Sequence, residues 1–361
     1  MARLILHIGM SKAGSTAIQQ CLAQNRRLLL ANGITYCDAV KGPNHAQLAV
    51  AFSERPHRLA RMFGMRHEQD RQNLRRRMRR RFAKAVDADS TWIASSEHIG
   101  AWLRHPDEIG ALSEFLTEFF AEVTLVTVIR RSDYWLPSSY VESVKAGGVH
   151  PLDDDFVRRR RGALLYSRYV RRWEAVFGPG SMETVPFLES DIRSPTALPS
   201  RFLAGVGVVD PASQPWAFPV GLPNESISAH ATEILRSLNP SLKTHTIRAT
   251  TLRKRAISLV AHEYPGDRTA LTPAAAAALP EARWMQDRAG AIPAPKRPDW
   301  DAWLEQEPAP VRPLPEVAPD DLVAASALLE RQGLLRTPRR RGLREDLAVS
   351  VRHAVIRVAR R

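Results

Sequence analysis

Short apolar runs separated by amphipathic stretches pattern the first 210 residues of the chain. Leu4, Ile5, Leu6, His7 and Ile8 make a nearly continuous apolar run, as expected of a strand covered on both faces. Thr91, Trp92, Ile93 and Ala94 read as a second strand, and the β-branched residues 123–129 as a third. Residues 183–187 make a fourth, which Pro186 places at a sheet edge because proline has no N–H for a central ladder. Between these runs Ile18, Cys21, Leu22, Leu28 and Leu29 recur at helical spacing, and further helices are predicted over residues 106–121, 133–145 and 164–177.

Alternating strands and helices predict an α/β fold, a parallel sheet wound on both faces and flanked by helices. Ligands of such sheets bind beyond the carboxyl ends of the strands. That rule makes residues 9–16, 95–98 and 130–139 neighbours.

Past about residue 220 the pattern weakens. Residues 226–238 and 249–262 look helical. Residues 290–320 carry Pro293, Pro295, Pro298, Pro308, Pro310, Pro313, Pro315 and Pro319 and read as an irregular, wrapping or partly mobile segment. The expected division is an α/β domain over 1–240, a mostly helical and proline-rich extension over 241–335, and a basic amphipathic tail over 336–361.

Composition narrows the class without naming a function. A chain of 361 residues with 44% apolar and 25% charged residues is ordinary for a globular protein. No stretch approaches the roughly 20 apolar residues of a membrane-spanning helix, and the N-terminus lacks the features of a signal peptide. A cytoplasmic protein is expected. Cys21 lies on an apolar helical face, and neither it nor Cys37 has a C-x-x-C partner or a His cluster, so no metal site is expected.

The net charge of +14 invites a nucleic-acid reading. Arginine outnumbers lysine 45 to 7, which suggests a compositional bias, and the tail 336–361 alone carries nine arginines against Glu345 and Asp346. No nucleic-acid partner is therefore expected. The remaining excess suits an enzyme with a strongly anionic cosubstrate.

The first predicted strand runs into Gly9, Met10, Ser11, Lys12, Ala13, Gly14, Ser15 and Thr16, then into a helix. Strand, glycine turn and helix make an anion site, because unpaired N–H groups at the helix start converge on phosphate oxygens. Gly9 and Gly14 have the separation of the Walker pattern, but Ser15 stands where that pattern has lysine, which argues against ATP hydrolysis.

Residues 11–16 resemble the 5′-phosphosulfate-binding loop of sulfotransferases that use 3′-phosphoadenosine 5′-phosphosulfate (PAPS), whose pattern is close to P-K-[ST]-G-[ST]-T. Lys12, Gly14, Ser15 and Thr16 match, while Ser11 replaces a proline and Ala13 a hydroxyl residue. Arg130 at a strand end and Ser138 eight residues later resemble that family's 3′-phosphate site, where a guanidinium fork and a hydroxyl suit a phosphate dianion. Residues 92–98, 172–178 and 224–228 look like further segments of bacterial sulfotransferases. The resemblance covers about residues 3–240 and implies a P-loop-type α/β fold and PAPS as cosubstrate without a metal. It also implies an acceptor hydroxyl on a saccharide, glycolipid or small molecule.

Sulfuryl transfer needs a cation at the leaving oxygen and a base at the acceptor. Lys12 is the cation. Glu97 and His98 stand at the end of the second predicted strand as candidate bases, with Glu97 ahead because related glycan sulfotransferases place a glutamate there. Strand alternation would admit only one of the two. His45 is a third candidate, as base or as acceptor-binding residue.

Two arginine runs lie outside this scheme. Arg75, Arg76, Arg77, Arg79, Arg80 and Arg81 would surround a helix with charge, solvated or acid-paired first, in contact with an anionic acceptor or a membrane surface second. In the tail, Leu343, Leu347, Val351, Ala354, Val355 and Val358 keep helical spacing beside arginines, a pattern compatible with peripheral membrane contact or with packing on the enzyme. The competing functions are a P-loop kinase or other phosphotransferase, and a non-catalytic nucleic-acid- or glycan-binding protein.

Overall fold

The computed structural model describes residues 2–42, 44–54, 60–61, 63–194, 196–207, 215–218, 227–242, 247–279 and 297–335. The tail 336–361, Asn224, Glu225 and Ser226, and Pro293 and Pro295 fall outside the described residues. The chain divides into two compact units. The first comprises Met1–Trp135, Arg160–Asn224 and Pro280–Pro308; the second comprises Leu136–Arg159, Glu225–Leu279 and Ala309–Arg361.

The first unit is built on a five-stranded parallel sheet in the order β2-β3-β1-β4-β5, formed by β1 (Arg3–Gly9), β2 (Ile34–Tyr36), β3 (Thr91–Ser95), β4 (Glu122–Arg130) and β5 (Met182–Phe187). The four strands read from apolar runs are all present, and the proline-bearing strand lies at an edge. The opposite edge, β2, has only three residues, too short a run to stand out in the sequence. Register aligns the carboxyl ends: His7 pairs with Ser95 and with Val126, and Arg130 pairs with Phe187.

Helices of this unit are α1 (Ser15–Gln24), α2 (Arg26–Ala31), α3 (Ala46–Phe52), α4 (Glu68–Ala85), α5 (Glu97–Trp102) and α6 (Pro106–Thr117). After them α7 (Ser132–Lys145) and α8 (Asp154–Leu164) run on into or out of the second unit, and α9 (Tyr166–Phe177) and α10 (Ala197–Gly205) return to the first. The single helical stretch expected after β1 divides into α1 and α2 at Asn25, whose amide donates to the Cys21 and Ala217 carbonyls at 2.7 and 2.6 Å. Both cysteines are buried, free thiols, and burial raises them to about 11 at Cys21 and about 12 at Cys37.

The core of this unit is a continuous cluster from the sheet into α3, α4 and α6. Phe82 lies at its centre, 5.4 to 6.3 Å from the rings of Trp92, Phe115, Phe119 and Phe120. Replacing such a ring by alanine costs about 3–5 kcal/mol. Only Leu74, Met78 and Phe82 of α4 are buried, so the arginines do surround the rest of that helix.

Within the proline-rich stretch the described residues 305–318 are largely irregular, as expected, but one helix precedes them. Residues Arg297–Leu304 form a helix, and its Trp300 and Trp303 are each 1% exposed. The Trp303 indole N–H donates to the Ile129 carbonyl at 3.2 Å, which ties the segment to β4. Proline punctuates this segment but does not outweigh two buried indoles.

The second unit is helical. Ser228 caps Ala229–Leu238 by accepting from the Ala231 N–H at 3.0 Å, so this helix starts later than the apolar pattern suggested. Ile247–Glu263, Pro273–Ala277 and Pro319–Arg331 follow. Glu233 is 2% exposed and accepts from Tyr140 and, at 2.8 Å, from Arg236. Among the described residues no helix is long and apolar enough to cross a membrane.

Candidate functional site

The site starts where β1 ends. Gly9 has φ 126°, and a Cβ there would stand 3.5 Å from both the Cα and the carbonyl oxygen of Glu97. The end of β1 thus meets the first residue of α5 backbone to backbone. Lys12 has φ 64°, a left-handed conformation that disfavours a side chain by about 1–2 kcal/mol. Gly14 has φ 77° and opens α1 as its N-cap residue. That backbone angle favours glycine, and a Cβ there would also press on Leu198 Cδ2, which would have to move.

Four successive loop carbonyls accept hydrogen bonds from the protein. Gly9 receives Thr127 Oγ1 at 3.1 Å and His7 Nε2 at 3.0 Å, and Met10 receives Ser15 Oγ at 3.1 Å. Ser11 receives the Trp135 indole at 2.8 Å, and Lys12 receives Arg130 Nη1 at 3.2 Å. The Met10 N–H is returned to the sheet through the Val128 carbonyl at 3.0 Å. The strained turn is therefore held through its acceptors. Ser15 and Thr16, in the first turn of α1, have no preceding helical carbonyl for their N–H groups, and the helix dipole adds positive potential there. Ser11, Lys12 and Thr16 are half-buried, whereas Ala13 and Ser15 are buried.

Arg130 ends β4 beside this loop. Its guanidinium lies 4.9 Å from the Phe187 ring centroid, a consequence of the Arg130–Phe187 register, and its Nε and Nη2 hold both carboxylate oxygens of Glu189 at 2.6 and 2.7 Å. The Arg130 carbonyl accepts from Tyr166 Oη at 2.6 Å. Ser138 lies on α7 and belongs to the second unit.

Glu97 and His98 are the first two residues of α5, not part of β3, so the alternation expected of strand neighbours does not apply to them. Gln19 on the buried face of α1 donates its amide to Glu97 Oε2 at 2.7 Å. His98 stacks on Trp102 with ring centroids 4.3 Å apart, and its Nε2 lies 3.6 Å from Glu97 Oε1. Burial lowers the His98 pKa, partly opposed by the Glu97 charge. His45 has both nitrogens committed to backbone: Nδ1 accepts from the Ser95 N–H at 2.9 Å, which leaves Nε2 as the donor to the Cys37 carbonyl at 2.9 Å. With 0% exposure it is a structural histidine. That removes it as a candidate base.

Gln19, Glu189 and Trp135 were not singled out from sequence. Glu189 lies just beyond the carboxyl end of the predicted fourth strand, where the crevice rule could have found it. Gln19 interrupts the apolar face of α1, a polar residue at a buried helical position. Among the described residues no group of three or more His, Cys, Asp or Glu side chains stands where it could hold a metal ion.

No protein-family model matches the chain, and no curated protein matches it. Among solved structures, it is similar to a sulfotransferase from Alicyclobacillus acidocaldarius, with 17% identity, 61% of this chain and 85% of that one covered, and a TM-score of 0.38. It is also similar to the sulfotransferase domain from the curacin biosynthetic pathway, with 10% identity, 91% and 98% coverage and a TM-score of 0.32. A third similarity is to the sulfotransferase domain of the Synechococcus PCC 7002 olefin synthase, with 13% identity, 74% and 96% coverage and a TM-score of 0.28. Each of these three solved structures is a sulfotransferase or a sulfotransferase domain.

Proposed function

We propose that the chain is a sulfotransferase that takes a sulfuryl group from PAPS to an acceptor hydroxyl. The observation that carries this reading is the bond from the Arg130 guanidinium to the main-chain carbonyl of Lys12, which sets that guanidinium against the loop that bears the lysine. A nucleotide with anionic groups at both its 5′ and 3′ positions calls for two such cations on one site. The helix start at Ser15 and Thr16 supplies further donors for the 5′ end.

In the proposed reaction the acceptor oxygen gives its proton to Glu97 and bonds to sulfur, while the bond from sulfur to the phosphate oxygen breaks. The ammonium of Lys12 offsets the charge that grows on that oxygen. Gln19 holds the Glu97 carboxylate by one oxygen, leaving the other for the proton. Arg130 is assigned to the 3′-phosphate, with Glu189 yielding its place on the guanidinium. The acceptor is proposed to be a saccharide or lipid-linked saccharide.

Titration with 3′-phosphoadenosine 5′-phosphate and, separately, with ATP and Mg²⁺ tests this reading against a P-loop kinase. At least tenfold tighter binding of the bisphosphate is expected. Equal or tighter binding of ATP would overturn the proposal.

A further inference from the structure

Helix α4 carries Arg71, Arg75, Arg76, Arg77, Arg79, Arg80, Arg81 and Lys84 against Glu68 and Asp70, eight positive charges less two negative. Arg76, Arg80 and Lys84 follow one another at i, i+4 spacing on its exposed side. Like charges at that spacing disfavour a helix, so this surface is costly without an anionic partner. Beside it α3, α4 and α6 border an open cleft of about 380 Å³, into which α4 contributes Arg75, Arg76 and Arg79. Arg75 and Arg79 lie 5.7 Å from the ring centroids of Phe52 and Phe115, which steady the guanidiniums from below. Arg79 holds Glu118 with two bonds of 2.6 and 2.7 Å, but the two side chains are 48% and 39% exposed, so an incoming anion exchanges with that carboxylate at little cost.

We propose that this cleft binds an acidic saccharide chain, one bearing sulfate or carboxylate groups among its hydroxyls. Three features select that chemistry. The apolar residues of α4, Leu74, Met78 and Phe82, are at most 4% exposed, so the helix has no face to insert into a lipid surface. Phe52 and Phe115 are 4% and 2% exposed and offer no platform for stacked bases. Glu114 and Glu118 in the wall are acceptors for hydroxyl groups, which a saccharide carries beside its anionic groups and a polyphosphate lacks.

The cleft shares no residue with the loop at Lys12. Glu118 stands just before β4 begins at Glu122, whereas Arg130 ends that strand, roughly 25 Å further along. The proposal therefore stands independently of the reaction assigned above.

The test measures binding of a sulfated dextran to the full chain, with unsulfated dextran, duplex DNA and anionic phospholipid vesicles as the other arms. Arg76→Gln/Arg79→Gln is compared with Arg77→Gln/Arg81→Gln, which removes equal charge from the same helix outside both the cleft and the row Arg76, Arg80 and Lys84. The sulfated dextran is expected to bind and the unsulfated one not. The cleft variant is expected to weaken binding at least tenfold and the other variant less than twofold, with unchanged thermal midpoints and unchanged bisphosphate binding. Equal losses in both variants, no loss in the cleft variant, or tighter binding to DNA or vesicles would overturn the proposal.

Discussion

Arg130 grips Glu189 at two points, 2.6 and 2.7 Å, with the two side chains only 10% and 20% exposed. A carboxylate here occupies the guanidinium fork in the way a phosphate would. In the proposed reading the pair holds Arg130 against the loop until a bisphosphate replaces Glu189. Glu189→Gln is then expected to tighten 3′-phosphoadenosine 5′-phosphate binding about tenfold, a gain of about 1.4 kcal/mol. Arg130→Ala is expected to weaken it by about 1.5–3 kcal/mol. Calorimetric titration of both variants measures the effect, and weaker binding by Glu189→Gln would assign Glu189 a purely structural role.

Glu97→Gln is expected to cost about 10²–10⁴ in turnover with bisphosphate affinity nearly unchanged, because the amide cannot accept the acceptor's proton. Gln19→Ala should lower turnover less, since the base survives without its 2.7 Å donor. Lys12→Ala should abolish transfer. Sulfate transfer in single-turnover mode separates these effects, and full activity in Glu97→Gln would move the role to His98.

Gly100→Ala tests packing at the end of β1. Alanine normally favours a helix over glycine by about 0.5–1 kcal/mol. A Cβ at Gly100 would, however, stand 2.1 Å from Tyr169 Oη and 2.4 Å from the Ile8 carbonyl oxygen, and the second contact is backbone. Overpacking of this kind costs about 1–3 kcal/mol, so the net effect is a loss of stability. A raised urea midpoint in Gly100→Ala would contradict this packing.

Burial lowers His7 and His45 to about 4, since each ring is shut away from water. Both folded values lie below the unfolded 6.5, so between these limits the unfolded chain binds more protons. Their contribution is complete above pH 6.5 and is lost as pH falls towards 4, at up to about 1.4 kcal/mol per pH unit for each ring. Urea midpoints at pH 7 and 5 measure the slope. His45→Gln should reduce it, and an unchanged slope would contradict the burial of that ring.

Local pattern was enough for the parallel sheet, because strands buried on both faces leave continuous apolar runs, and Pro186 marked its own strand as an edge. Residues 9–16 stood out for a similar reason: a glycine-bearing turn between strand and helix is written in consecutive residues. Long-range contacts left no such trace. Glu189 meets Arg130 across 59 positions and Gln19 meets Glu97 across 78, each partner brought in by a different strand or helix. His45 looked available for catalysis until folding placed the Ser95 N–H and the Cys37 carbonyl against its two nitrogens. Backbone preferences and hydrophobic periodicity act between near neighbours in the chain, whereas a side chain's protonation, partners and access to solvent depend on everything packed around it.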